Sequence, residues 1–327
     1  MLKCTKLKIN PQINRSSQIA SSSPSYSPLT IMLQPIRTTF RSAAQGARLF
    51  STSRGLRTDL SYQVFGPEKA DVIDRSPIIF LHGLFGSKQN NRGISKALAR
   101  DLKREIFTVD LRNHGQSFHA QEHNYSVMAE DVIKFIQQLK LDKAVLIGHS
   151  MGAKTAMTVA LDSPKLVSAL VPVDNAPVNA PLKSDFGLYV RGMQHVEAAN
   201  VTKQSEADEI LKGYEESLPI RQFLLTNLVR STEDQTMKFR VPLAVLGEAI
   251  PGMADFPYRE PGSVSYEGPT LFVRGTKSRY VSDESVPTIK KFFPNASVAD
   301  VEAGHWLISE NPEGFRQAVL KFLQEAP

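Results

Sequence analysis

The chain of 327 residues has little cysteine and no long apolar run. Its single cysteine, Cys4, lies near the N-terminus. The rest of the chain therefore has no disulfide, no thiolate metal site and no cysteine nucleophile. No run of residues is long and apolar enough to span a bilayer. No G-x-G-x-x-G or phosphate-loop motif follows a predicted strand, which argues against nucleotide redox chemistry and phosphoryl transfer.

Acidic residues are missing from the first 57 positions, which contain nine Lys or Arg residues; Asp59 is the first acid. With those nine taken from the 39 basic residues, the rest of the chain carries 30 basic and 33 acidic residues. The formal charge of +6 thus originates in the N-terminal segment. The remainder is mildly acidic, so its charge does not point to a nucleic-acid partner.

This acid-free segment predicts that the protein is targeted to the mitochondrion. From Met32 onward, apolar residues recur at helical spacing while arginines share another face, as in transit peptides. Residues 48–51 resemble a site cut by matrix peptidases. We therefore assign 1–51 to a transit peptide and N-terminal extension, with Met32 as an alternative start. A disordered basic tail is the alternative interpretation.

Short apolar strands alternate with amphipathic helices from residue 60 to residue 173. This β-α-β order predicts an α/β fold with a mostly parallel, doubly wound sheet within the domain 52–327. Between about 178 and 268 the alternation stops, and mixed-charge stretches at 196–218 and 220–228 predict helices. We interpret this insertion, placed after the sixth strand, as a helical cap over the carboxyl edge of the sheet.

A G-x-S-x-G pentapeptide, residues 148–152, lies between a predicted strand at 144–147 and a predicted helix at 153–161. A serine on so tight a strand-to-helix turn stands clear of the sheet, and the glycines remove side chains that would clash. The start of the helix also directs free N–H groups toward the site. This context predicts that Ser150 is a nucleophile.

A nucleophilic serine needs a base and an orienting acid. Of the seven histidines, only His305 follows the last predicted strand, on a loop before the final helix, so it is the predicted base. Residues 274–279, after the penultimate strand, contain no carboxylate. We therefore choose Asp174, at the end of the strand after the nucleophile's helix. Asp283 is the alternative, although capping of a helix explains it adequately.

The oxyanion hole is expected to combine the backbone N–H of Met151 with that of Leu84, or alternatively Phe85. Leu84 and Phe85 lie in the loop 82–87, and the segment 110–117 is expected to brace a neighbouring turn. His119 and His123 are four residues apart, but nothing nearby completes a metal site, so we interpret them as solvated loop histidines and predict no metal.

Six segments of the chain form a recognisable set: HGLFGSKQNN, DLRNHGQS, GHSMGAK, PVDNAP, RQFLLTNL and EAGHW. With them the chain resembles one branch of the α/β-hydrolase superfamily. This branch contains mitochondrial esterases, thioesterases and the yeast ethanol acetyltransferases, which make ethyl acetate from acetyl-CoA. The resemblance runs from about residue 60 to the C-terminus and implies an α/β-hydrolase fold. The family's catalytic serine, aspartate and histidine fall on Ser150, Asp174 and His305.

The resemblance implies acetyl-CoA as acyl donor, an alcohol or water as acceptor, and no bound cofactor. Lys88 and Lys154 are candidates to meet a coenzyme A phosphate, although we favour their being solvated. Three functions stay open: an alcohol acetyltransferase with thioesterase and esterase side activity, a dedicated mitochondrial serine esterase or thioesterase, and a catalytically dead interaction module. The complete Ser, Asp and His set argues against the last.

Overall fold

The computed structural model describes residues 59–66, 75–179 and 186–325, so the predicted transit segment 1–51 lies outside the described residues. Nine strands occur in these ranges, of which seven form one sheet. In chain order they are β1 (Tyr62–Phe65), β2 (Ile78–Leu81), β3 (Ile106–Val109), β4 (Ala144–His149), β5 (Val167–Val173), β6 (Leu228–Arg230), β7 (Met237–Phe239), β8 (Thr270–Gly275) and β9 (Ala296–Val301).

The large sheet has the strand order β1-β3-β2-β4-β5-β8-β9. Only the edge strand β1 is antiparallel to its neighbour; every other pairing is parallel. Since the chain starts near one edge, moves to the centre and continues to the other edge, the sheet is doubly wound, and the predicted fold class is confirmed. The nucleophile strand β4 is the central strand of the seven.

Ten helices surround or extend this sheet within the described ranges. They are α1 (Arg92–Leu102), α2 (Tyr125–Gln138), α3 (Met151–Asp162), α4 (Phe186–Ala198), α5 (Gln204–Leu211), α6 (Leu218–Leu225), α7 (Leu243–Met253), α8 (Val286–Phe292), α9 (Leu307–Glu310) and α10 (Pro312–Glu325). Short 3-10 turns occupy Pro164–Leu166 and Asp283–Ser285.

Alternation along β2 shows how the strands bury both faces of the sheet. Ile79 and Leu81 belong to the apolar cluster that includes side chains of α2 and α3. Ile78 and Phe80 belong to the opposite cluster, with side chains of α1 and α10. All four are fully buried. A strand with helices on both faces has no polar side, which explains its continuous apolar sequence.

The inserted segment follows the fifth strand, β5, not the sixth as predicted, since only five of the described strands precede it. It contains α4 to α7 together with the hairpin β6-β7, which the sequence analysis missed. The predicted helical stretch at 196–218 is divided between the end of α4, all of α5 and the start of α6. Three-residue strands joined by a polar turn carry too little apolar alternation to be recognised. The boundaries 178–268 stay a prediction.

Among the helices of residues 59–66, 75–179 and 186–325, none has both the length and the apolar character needed to cross a membrane.

Candidate active site

Ser150 occupies the turn between β4 and α3 in a conformation that few residues adopt, with φ of 55° and ψ of −111°. The neighbouring glycines make this turn sterically feasible. A Cβ on Gly148 would lie 2.1 Å from the carbonyl oxygen of Gly152. A Cβ on Gly152 would lie 2.5 Å from the carbonyl oxygen of Leu81. Backbone strain held by such close packing is typical of functional sites.

His305 lies on the loop between β9 and α9 and contacts both of its predicted partners. Its Nε2 is 3.0 Å from Ser150 Oγ, and its Nδ1 is 2.7 Å from Asp174 Oδ2. An ionised carboxylate only accepts hydrogen bonds, so we assign the ring hydrogen to Nδ1. The lone pair of Nε2 then faces the serine hydroxyl, which is the geometry that a general base needs.

Asp174 is fully buried at the end of β5, with a positive φ of 51°. Besides His305, its carboxylate accepts the N–H of Gly275 at 3.1 Å and the hydroxyl of Ser278 at 2.5 Å. Both donors belong to residues 274–279, the segment at the end of β8 that contains no carboxylate of its own. That segment therefore supplies hydrogen bonds to an acid from another strand.

Asp283, the alternative acid, lies elsewhere. Its side chain is 85% exposed and pairs with Arg274 at 2.6 Å. It neither contacts His305 nor caps its helix, since no side-chain capping bond is present there. The geometry thus favours Asp174 as the partner of the imidazole.

The predicted oxyanion donors differ in their availability. The N–H of Phe85, the alternative donor, is donated to His114 Nε2 at 3.1 Å. The N–H groups of Leu84 and Met151 have no hydrogen-bond acceptor among the residues that the structure describes. Met151 is the first residue of α3, where N–H groups have no partner within the helix. Leu84 and Met151 are therefore the better pair.

Two buried histidines fix the loop that carries Leu84. His82 Nε2 accepts the N–H of Leu111 at 3.0 Å, and its Nδ1–H donates to the carbonyl of Gly83 at 2.8 Å. His114 receives the N–H of Phe85 and donates its Nδ1–H to the carbonyl of Arg112 at 2.9 Å. Burial lowers the pKa of both imidazoles, which keeps them neutral and able to accept. Segment 110–117 thus braces this loop, as expected.

Lys88 and Lys154 are buried, so the expectation that they are solvated is wrong. Lys88 Nζ pairs with Asp110 at 2.5 Å and also donates to Ser61 and Gln116. This pairing ties the oxyanion loop to segment 110–117 and leaves no exposed ammonium for a phosphate.

Lys154 lies one turn after Ser150 and donates three hydrogen bonds. The acceptors are the carbonyl oxygens of Val178, at 3.0 Å, and of Ala254 and Asp255, each at 2.8 Å. Val178 precedes α4 and the other two follow α7, so one ammonium joins both ends of the inserted segment to the nucleophile's helix. Burial lowers the pKa of Lys154 to about 8.

His149, which the sequence did not single out, supports the loop of His305. Its Nε2–H donates to the backbone carbonyl of His305 at 2.8 Å, and the two rings lie 5.0 Å apart. Burial, together with His305 nearby, lowers the pKa of His149 to about 4, so it is neutral at pH 7. Tyr280 packs on the imidazole of His305 with ring centroids 4.3 Å apart. The one signal for His149 in the sequence is its position immediately before Ser150 in the G-x-S-x-G pentapeptide.

His123 is also buried, contrary to the expectation of a solvated side chain, whereas His119 is exposed as expected. Burial lowers the pKa of His123 to about 4. Within the described ranges, no three His, Cys, Asp or Glu residues are grouped as a metal ion would require.

Known proteins are similar to this chain in sequence, and a solved structure is similar to it in fold. The profile of a family described as "alpha/beta hydrolase fold" matches residues 76–312. An sn-1-specific diacylglycerol lipase ABHD11 of Xenopus laevis is 42% identical, over 82% of this chain and 85% of its own length. A probable alcohol acetyltransferase of Saccharomyces cerevisiae is 38% identical, over 81% of this chain and 83% of its own length.

A solved structure titled "Marine microorganism esterase" is 30% identical, with a TM-score of 0.74 over 81% of this chain and all of its own. The family match covers most of the chain, and both relatives are aligned over more than four-fifths of their lengths. Together with the central strand, the strained serine turn and the inserted helices, this shows that the chain belongs to the α/β-hydrolase family.

Proposed function

We propose that the chain transfers acyl groups through an ester formed on Ser150. The observation that carries this proposal is the continuous contact from Ser150 Oγ to His305 Nε2 and from His305 Nδ1 to Asp174. A serine hydroxyl becomes a nucleophile when an oriented imidazole accepts its proton. The three side chains converge from separate parts of the chain, so their alignment is not a consequence of sequence proximity.

In the proposed reaction, Ser150 Oγ attacks the carbonyl carbon of an ester or thioester while its proton passes to His305 Nε2. The N–H groups of Leu84 and Met151 stabilise the tetrahedral oxyanion. The imidazolium then returns its proton to the departing alcohol or thiol, and an acyl-serine remains. A water or an alcohol then attacks this ester while its proton passes to His305. The bond between the acyl carbon and Ser150 Oγ breaks, the imidazolium returns the proton to Oγ, and an acid or a new ester is released.

The acceptor and donor that we propose are ethanol and acetyl-CoA, so that the principal product is ethyl acetate. The relative named probable alcohol acetyltransferase supports an alcohol as acceptor and an acetyl group as the part that is transferred. Thioesterase and esterase activities are expected as side reactions, because water competes for the same acyl-enzyme. No bound cofactor is required, since all groups in the scheme are side chains or backbone amides.

A dedicated serine esterase or thioesterase is the second candidate. It uses the same acyl-serine but releases it only to water. The lipase-named relative favours this function, because its identity of 42% exceeds the 38% of the acetyltransferase-named relative.

Partitioning of one acyl-enzyme distinguishes the two. The purified full-length chain, given acetyl-CoA alone, is expected to release CoA and acetate slowly. Added ethanol should give ethyl acetate, measured by gas chromatography, and should reduce the fraction of acetyl groups recovered as acetate. Acetate without ester at high ethanol would reject the transferase and retain the hydrolase.

Ser150→Ala tests the shared intermediate, since it should abolish ester and acetate together. A fluorophosphonate probe should label the native chain and not this variant. Failure of the native chain to react with the probe or with any acyl substrate would instead indicate the catalytically dead module.

We also propose that the enzyme acts in the mitochondrion, on the basis of the basic, acid-free segment at the N-terminus. Residues 32–57 fused to a fluorescent protein should direct it to mitochondria, and a diffuse cytosolic signal would contradict the proposal.

A further inference from the structure

A cavity of about 380 Å³ lies beside the candidate active site. Gly83 and His149 form part of its wall, and so do Trp306, which follows His305, and Phe223 of α6. No Asp, Glu, Lys or Arg side chain lines it. Because the His149 pKa is lowered by burial, this imidazole contributes no charge at neutral pH. The cavity is therefore suited to an uncharged group.

Asn91 gives this cavity an available hydrogen-bonding group. The residue is only 6% exposed and lines the cavity. It stands immediately before α1, yet its side chain makes no capping hydrogen bond, and no other partner contacts its amide among the described residues. An amide that lines a cavity and has no protein partner is available to a water or a ligand.

The start of α1 adds backbone donors at the same wall. Gly93 and Ile94 line the cavity, and as second and third residues of the helix their N–H groups have no intrahelical acceptor. A hydroxyl or amide of a ligand can thus both donate to and accept from this wall, whereas Trp306 and Phe223, with ring centroids 4.7 Å apart, offer an apolar surface.

Gly83 connects the cavity with the nucleophile. A Cβ on Gly83 would lie 3.4 Å from Ser150 Cβ and 3.1 Å from His149 Nδ1. At these distances the backbone of Gly83 packs directly against Ser150 and His149, so the cavity wall at Gly83 adjoins the nucleophile. The cavity also adjoins the loop of His305, the side on which a departing group must receive its proton.

We propose that this cavity holds the alcohol or thiol part of the substrate, both when it leaves and when an acceptor replaces it, and that Asn91 determines its specificity. The preferred occupant is the uncharged part of an alcohol or thiol that carries a second hydrogen-bonding group, a hydroxyl or an amide, such as the amide-bearing thiol end of coenzyme A. Ethanol would occupy the same space without bonding Asn91. This inference rests on the proposed function, since it requires an acyl-serine.

Matched acetyl substrates test the proposal on the full-length chain. Glyceryl monoacetate and propyl acetate have the same acyl group and the same carbon count in the alcohol, but only the former carries free hydroxyls. S-acetyl-N-acetylcysteamine and propyl thioacetate form the amide-bearing thiol pair. In each pair we divide the kcat/KM of the substrate that carries the hydroxyls or the amide by that of the propyl compound. Asn91→Leu should lower this ratio about tenfold, the effect of one lost hydrogen bond.

Propyl acetate should lose less activity than glyceryl monoacetate in this variant, because its alcohol has no second group that could bond Asn91. Gln89→Leu, an exposed neighbour outside the cavity, is the matched control and should leave both ratios unaltered. Asn91→Ala should reproduce the lower ratio if the leucine variant fails to fold. A response in one pair alone identifies whether the hydroxyl or the amide is the preferred group.

Equal losses on both members of each pair would overturn the proposal, because they would reveal a general structural effect. Unchanged ratios would overturn it as well. Both outcomes require an active native enzyme, so they are distinguishable from failure of the proposed function, in which the native chain hydrolyses none of the four substrates.

Discussion

Replacement of Asp174 by asparagine tests the site most directly, because the structure dictates how the new amide must lie. Oδ1 of Asp174 accepts the backbone N–H of Gly275, and Oδ2 accepts Ser278 and His305. If the asparagine NH₂ faced Gly275, two donors would lie against each other, because the backbone N–H of Gly275 cannot rotate. The NH₂ must therefore take the place of Oδ2, where the Ser278 hydroxyl can rotate to accept from it.

In that orientation the amide donates to His305 Nδ1. The imidazole must then carry its hydrogen on Nε2, where it faces Ser150 Oγ and can no longer accept the serine proton. Loss of the correct tautomer lowers kcat by about 10⁴-fold, or about 5.5 kcal/mol in activation free energy. The fold should be retained, since the side chains are nearly equal in size and Gly275 keeps its acceptor.

Hydrolysis of p-nitrophenyl acetate by the native chain and by Asp174→Asn measures this loss, with thermal unfolding as the check on folding. Asp283→Asn is the matched control, since its exposed carboxylate pairs, among the described residues, with Arg274 alone. It should retain activity within about twofold, as expected for a surface ion pair. An Asp174→Asn enzyme within tenfold of the native rate would refute the tautomer argument.

The sequence was most informative where a function depends on neighbouring residues. Ser150 is recognisable because a glycine lies two residues away on each side. A side chain at either glycine would clash with neighbouring backbone, so the spacing alone indicates the tight turn. His305 follows from the order of strands along the chain. Each prediction needed only local pattern and topology, and the structure brings both residues into contact.

The supporting contacts could not be predicted, because they join distant parts of the chain. Ser278 contacts Asp174 across 104 positions, and His149 contacts the carbonyl of His305 across 156. Charged side chains are usually solvated, which is why the sequence favours a solvated Lys154. In the fold, however, its ammonium is buried against three carbonyls, one before α4 and two after α7. Sequence patterns describe which face of a helix is apolar, not which polar group the tertiary fold covers.

Three further substitutions test a steric contact, a hydrogen bond and a buried histidine. Gly152→Ala should destabilise the fold by about 3 kcal/mol or more, because its Cβ would lie 2.5 Å from the Leu81 carbonyl; thermal unfolding measures this. Ser278→Ala should lower kcat about tenfold through loss of one hydrogen bond to Asp174, and an unchanged rate would show that Gly275 alone suffices. His123 is expected to weaken the fold in acid. Burial lowers the pKa of His123 from its usual 6.5 to about 4 in the folded chain. Between these two values the unfolded chain therefore binds a proton at His123 that the folded chain does not. Stability should therefore fall as pH decreases through that window, by about 2 kcal/mol from pH 7 to pH 5. Urea unfolding should show this additional loss in the native chain relative to His123→Gln, and parallel pH profiles would contradict the assignment.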